Sequence, residues 1–226
     1  MATPTDFGPQ YCETPGLADG FPVEPWNAIS SGVIVLWGLA ALVLVARRRP
    51  NDLWLYALCA LLIVNGVGSI LWHGLREQWT LPLDALPAVV FVIGVAFLWA
   101  RKVAPLWQAA VLGIVLVALP VVLFRFDIVP PGLSRMLTSA IVITIGAVWL
   151  IARTMFVSPS AWYVGSYALA SAVAALTFRT VDPLTCDKLA FGTHFLWHIF
   201  LSTAAFLCMV VLVRLRGLPA FAAQSA

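Results

Sequence analysis

Seven stretches of about twenty consecutive residues, nearly free of charge, follow one another between Asn27 and Val213. Each is long enough to cross the ~30 Å hydrocarbon core of a bilayer as a helix. In hydrocarbon the backbone must satisfy its own hydrogen bonds, so such runs fold as helices. The spans read as Asn27–Ala46, Leu53–His73, Asp84–Arg101, Pro105–Phe124, Leu133–Ala152, Ala161–Phe178 and Thr193–Val213. Only 10% of the 226 residues are charged, against ~25% in a typical soluble domain. An all-α polytopic membrane protein with seven transmembrane helices is therefore expected. The reading divides the chain into an acidic N-terminal segment (1–26), a transmembrane domain (27–214) and a C-terminal tail (215–226).

Loop charges set the expected orientation. With an odd number of spans the termini face opposite sides. The C-terminal side collects Arg47, Arg48, Arg49, Arg101, Lys102, Arg153, Arg214 and Arg216, eight in all. The other side has five: Arg76, Arg125, Arg135, Arg179 and Lys188. The bias predicts a cytoplasmic C-terminus and an extracytoplasmic N-terminus. These cations sit at helix ends rather than in one basic patch, which gives nucleic acid nothing to bind. Residues 1–26 carry five prolines and no early apolar core, so no cleavable signal peptide is expected. Cys12 and Cys186 both fall on the exported side, where two thiols meet oxidising conditions. They read as a disulfide, or else as two free thiols; Cys59 and Cys208 read as buried apolar side chains.

The chain has three histidines. His194 and His198 stand at i and i+4 on the seventh span and so share a helix face. His73 ends the second span, one turn after Ser69, and Asp84 opens the third. By the alternation of spans all five residues lie at one membrane depth, near the N-terminal-side face. Ionisable groups at such depth are costly and tend to face the interior and do chemistry. Three neutral imidazoles leave a fourth position open on a zinc ion, as catalytic zinc sites do. Iron, cobalt or nickel also accept imidazole. Such a metal makes water acidic enough to attack near neutral pH. Asp84 is then placed to take a proton, and Ser69 to donate a hydrogen bond to a developing oxyanion. The plainer alternative is a set of polar side chains snorkelling at helix ends, since His-x3-His also arises by chance.

Ser69-x3-His73, Asp84 at the next span and His194-x3-His198 together resemble the signature of the seven-helix membrane hydrolases. That superfamily includes the alkaline ceramidases and the adiponectin and progestin receptor family. Gly66-Val67-Gly68-Ser69-Ile70-Leu71-Trp72-His73 and His194-Phe195-Leu196-Trp197-His198 are most similar to the alkaline ceramidases. Tyr11-Cys12-Glu13, Glu24-Pro25-Trp26-Asn27-Ala28-Ile29-Ser30 and the pair Asp182 and Cys186 are similar to the same branch, so the likeness covers nearly the whole chain. The resemblance implies His73, His194 and His198 as zinc ligands, Asp84 as general base and Ser69 as polariser of the substrate carbonyl. It implies cleavage of the N-acyl amide of ceramide or a similar lipid, with membrane lipids as the surroundings. A zinc-containing receptor, or a hydrolase of another acyl-lipid, is the competing reading. The family's acidic N-terminal loop binds Ca²⁺. Glu13, Glu24 and the Tyr11 carbonyl match that loop, with Asp19 as a further donor, while Gln10 and Pro15 replace two of its ligands. The same acidic residues also suit a plain surface in which Glu24 and Asn27 cap the first helix.

Overall fold

The buried positions of the first helix recur every three or four residues: Asn27, Ser31, Ile34, Gly38, Ala41 and Val45. Ile29, Leu36 and Val43, seven apart, point outward and are exposed. An outward face this apolar suits lipid rather than water. In the computed structural model the described residues are 8–14, 20–126, 128 and 135–218. Among them the chain forms seven helices and no strand: α1 (Pro25–Arg48), α2 (Leu53–Leu75), α3 (Thr80–Val103), α4 (Leu106–Arg125), α5 (Arg135–Met155), α6 (Pro159–Thr185) and α7 (His194–Leu215). All seven are long and apolar enough to cross a membrane.

Helix boundaries follow local chemistry. Pro25 opens α1, where a missing N–H costs nothing. Its free N–H groups are satisfied from a distance, because Glu13 accepts from Trp26 N and Asn27 N at 2.9 Å each. Arg47 and Arg48 end the helix beside its negative pole. Asp52 caps α2 through Leu55 N, and Arg76 closes it in the left-handed conformation, φ 54°. Two boundaries differ from the sequence reading. Helix α3 begins one turn early, at Thr80, because a proline such as Pro82 is tolerated in a first turn. Helix α6 runs through Pro183 to Thr185, so Arg179 and Asp182 belong to a helix rather than to a loop.

The chain divides into two compact units. The first comprises residues 1–91 and 170–207; it pairs α1 with α2 and takes one end each of α3, α6 and α7. Its buried face changes character along α2. Leu55, Leu58, Cys59 and Leu62 give way to Asn65, Gly66, Ser69 and His73 on the same side of the helix. The second comprises residues 92–169 and 208–226 and packs α4 against α5. There Trp99 Nε1 donates to Thr154 Oγ1 at 2.7 Å, both buried, and Arg153 Nε donates to the Val103 carbonyl at 3.2 Å.

Gly68 sets how closely α2 approaches α3. A Cβ there would run into the Leu83 carbonyl and come within 2.7 Å of Asp84 N. These are backbone atoms and cannot swing aside. Gly68→Ala is expected to cost about 1–3 kcal/mol through overpacking, read as a lower thermal midpoint in detergent. The strain falls on the turn that carries Asp84.

Candidate metal centre

Helix α2 brings His73 and Ser69 to one face, and α7 brings His194 and His198. The three imidazoles are at most 3% exposed, and their candidate ligand nitrogens all lie within 4.8 Å of one another. Ring centroids are 5.3 Å apart for His73 and His194, 4.8 Å for His73 and His198, and 4.7 Å for His194 and His198. A tetrahedral zinc with Zn–N of about 2.0–2.1 Å spaces its ligands at roughly 3.4 Å. The trio is thus nearly closed around the volume of one ion.

Hydrogen bonds on the far side of two rings point the same way. His73 Nδ1 donates to the Glu24 carboxylate. His198 Nδ1 lies 2.8 Å from Ser30 Oγ, whose own proton goes to the Asn27 carbonyl at 3.1 Å. This network assigns the N–H to Nδ1 in both rings and leaves Nε2 bare to receive a metal. Carboxylate-to-histidine support of this kind fixes a ligand's orientation and raises its basicity. The donor set therefore fits a divalent ion such as zinc.

Ser69 and Asp84 join the same cluster. Ser69 is 1% exposed, stands beside the Asp84 carboxylate and receives Ser31 Oγ at 3.0 Å. Asn65 Nδ2 donates to the Asp84 carbonyl and lies 3.5 Å from Asp84 Oδ1. A helix turn that carries a carboxylate is thereby pinned to the turn preceding His73.

The N-terminal segment covers this cluster. The Tyr11 ring stacks on His194 with centroids 3.9 Å apart and an interplanar angle of 19°. Cys12 is bridged to Cys186, which chooses the disulfide over two free thiols. Asp182, 1% exposed, organises the junction. Its Oδ1 accepts from Thr193 N at 2.7 Å and His194 N at 2.9 Å, capping α7, while its Oδ2 accepts from Cys12 N at 3.1 Å. Gly192 has φ +58°, and a Cβ there would meet the Asp182 carboxylate and the Cys12 side chain. Gly192→Ala should cost about 1–3 kcal/mol from left-handed strain alone, measurable as a lower thermal midpoint in detergent.

The structure lends the calcium expectation no support. Both oxygens of Glu13 cap α1. Those of Glu24 take Thr14 Oγ1 at 2.7 Å, Asn27 Nδ2 at 3.3 Å and His73. The Arg76 guanidinium also stands beside Glu24, with Nε 3.4 Å from its Oε1. Calcium needs six to eight converging oxygens. These carboxylates turn to protein donors and a resident cation, and the Tyr11 carbonyl accepts from Thr14 N at 3.0 Å. Asp19 lies outside the described residues. Among the described residues, the three histidines are the group placed to hold a metal.

Electrostatics agree with a dry, crowded junction. Burial pushes the Glu24 and Glu13 carboxyls up, against the pull of Arg76 and the α1 cap respectively. Burial pulls the Arg76 guanidinium down, against the pull of Glu24. Arg76 also donates to the Pro9 carbonyl at 2.9 Å and lies 4.0 Å from the Trp72 ring centroid. Residues that pattern reading did not assign to the site are Arg76, Arg179, Asn65, Ser30 and Ser31. The last three are buried side chains of α2 and α1. Arg76 and Arg179 had counted only as loop charges.

No curated protein matches the sequence. The family model described as Ceramidase matches residues 9–222, which takes in the N-terminal segment, all three histidines, Ser69 and Asp84. By that match across nearly its whole length, the chain belongs to the ceramidase family.

Proposed function

We propose that the protein is a zinc-dependent amidohydrolase of the membrane that cleaves the N-acyl amide of ceramide, or a closely similar lipid, to a sphingoid base and a fatty acid. Family membership supports a ceramide-hydrolysing membrane enzyme. The observation that carries the mechanism is the cluster of three buried imidazoles, with Ser69 one helical turn before His73 and Asp84 beside Ser69. His73, His194 and His198 would hold the ion. When bound, zinc supplies Lewis acidity, making water acidic enough to attack near neutral pH and polarising a carbonyl.

The protein's own groups do the rest. Asp84 accepts a proton as water oxygen bonds to the amide carbon, then delivers it to the nitrogen as the C–N bond breaks. In its ionised state Asp84 would accept the hydroxyl proton of the neighbouring Ser69. Once protonated it donates instead of accepting, which frees Ser69 O–H to turn to the oxygen that has just become negative. Proton uptake and oxyanion stabilisation are thus coupled through one hydrogen bond. The Tyr11 ring and the Cys12–Cys186 bridge cover the imidazoles and limit bulk water. The same bridge favours an extracytoplasmic N-terminus and a cytoplasmic C-terminus. Residues 27–214 form the catalytic membrane domain in this reading, between residues 1–26 and a tail at 215–226.

The test is product analysis with purified protein in mixed micelles. Ceramide should yield sphingoid base and fatty acid in equal amounts, faster than a chain-matched acyl ester or N-acylethanolamine. Preferential release of fatty acid from either comparison lipid would reassign the substrate.

A further inference from the structure

Two adjacent hydroxyls of α1 reach the centre, and the hydrolytic roles above use neither of them for chemistry. Ser31 is fully buried and Ser30 nearly so. Neighbours on a helix diverge by roughly 100°, yet both hydroxyls fold back on one group, the Asn27 carbonyl. Their other contacts differ. Ser30 Oγ lies 2.8 Å from His198 Nδ1, whereas Ser31 Oγ lies 3.4 Å from that nitrogen and 3.0 Å from Ser69 Oγ. Ser30 therefore serves the metal ligand, and Ser31 stands against the catalytic hydroxyl.

Proton counting shows what Ser31 can do there. A serine hydroxyl carries one proton and two lone pairs. The Ser31 proton has two acceptors in reach, the Asn27 carbonyl at 2.7 Å and Ser69 Oγ at 3.0 Å. While it rests on the carbonyl, Ser69 has to be the donor in its contact with Ser31, and the Ser69 proton is held by α1. When it turns to Ser69, the Ser69 oxygen accepts, and its own proton is released toward Asp84 and the reacting carbonyl. Rotation about one C–O bond separates the two settings. Crowding at Asn27 favours the second. That carbonyl has two lone pairs; the helix N–H four residues on takes one, and the Ser30 hydroxyl at 3.1 Å takes the other. A hydroxyl that accepts a hydrogen bond also donates a stronger one.

We propose that Ser31 is a positioning residue for the reaction: its hydroxyl donates to Ser69 Oγ and so directs the single Ser69 proton at the oxyanion. This deepens the hydrolase reading and rests on it for the oxyanion. Ser31 touches neither lipid nor ion in this role and acts through Ser69.

The experiment is a double-mutant cycle of Ser31→Ala and Ser69→Ala, with steady-state kinetics and zinc per chain measured on the same purified samples. Alanine favours the helix and adds no bulk at a buried position. Ceramide, a chain-matched acyl ester and an N-acylethanolamine are each offered, so the cycle can be read on whichever lipid is cleaved. Ser31→Ala should lower kcat about tenfold and leave KM and zinc unchanged. Ser69→Ala, which removes the oxyanion donor itself, should cost about a hundredfold or more. In Ser69→Ala protein the further change Ser31→Ala should alter kcat by less than about twofold, because the group it positions is gone. Ser30→Ala, by contrast, should weaken zinc about tenfold or more in competition with a chelator. Equal losses from Ser31→Ala with and without Ser69 would make Ser31 a packing residue and overturn the proposal. Zinc loss from Ser31→Ala would also overturn it, by making Ser31 a support for His198, as would an undiminished kcat. A wild type that cleaves none of the three lipids sinks the hydrolase reading and the positioning role together, and is seen before any variant is compared.

Discussion

Asp84→Asn should lower kcat for ceramide by roughly a thousandfold, within the range typical for loss of a general acid–base group, while the protein still binds one metal ion. Asparagine keeps the size of the side chain and can still hydrogen-bond Ser69 and Asn65, so the α2–α3 contact should persist. It cannot carry a proton from water to the departing amine. Nor can it switch from acceptor to donor as protonation proceeds, so Ser69 loses the cue that frees its hydroxyl. The check is steady-state kinetics on purified variant with metal analysis of the same sample. Turnover within tenfold of wild type would remove Asp84 from the proton path.

The second large effect separates the ligands from their support. His194→Ala should empty the metal site, because two remaining imidazoles offer too few donors for a catalytic zinc. Glu24→Gln acts one step further out. The amide can still accept from His73 Nδ1 but brings no negative charge to raise the basicity of the ring, and it leaves Arg76 buried beside a neutral partner. Loss of such outer support typically costs about 10–100-fold in metal affinity. Competition with a chromogenic chelator should therefore show no tight zinc in His194→Ala and a weakened but measurable site in Glu24→Gln. A full zinc complement in His194→Ala would contradict the ligand assignment.

Much of this arrangement is legible in the residues themselves. Hydrocarbon tolerates little but helices, so long uncharged runs translate directly into spans, and the count of seven follows. Three histidines, a serine and an aspartate at one depth follow from alternating span direction combined with the i, i+4 rule. Of the two readings that the residues left open for Cys12 and Cys186, the structure has the bridge. What escaped pattern reading has a common cause: the N-terminal segment meets α2, α6 and α7 through contacts far apart in the chain. Glu24 reads locally as a cap or a calcium carboxylate, yet it pairs with His73, 49 residues on, and with Arg76. Arg179 reads as a loop charge because Pro183 suggests that the helix has already ended. The helix continues through that proline, and a presumed topogenic charge becomes part of the centre.

The central claim is that ceramide cleavage depends on an ion held by His73, His194 and His198. It is tested most directly by stripping the purified protein with a chelator and titrating zinc back while following sphingoid base release. The account predicts no release from stripped protein, recovery in proportion to added zinc, and a plateau at one ion per chain. Full release from protein shown to hold no metal would contradict it, as would one zinc per chain with no cleavage of any acyl-lipid.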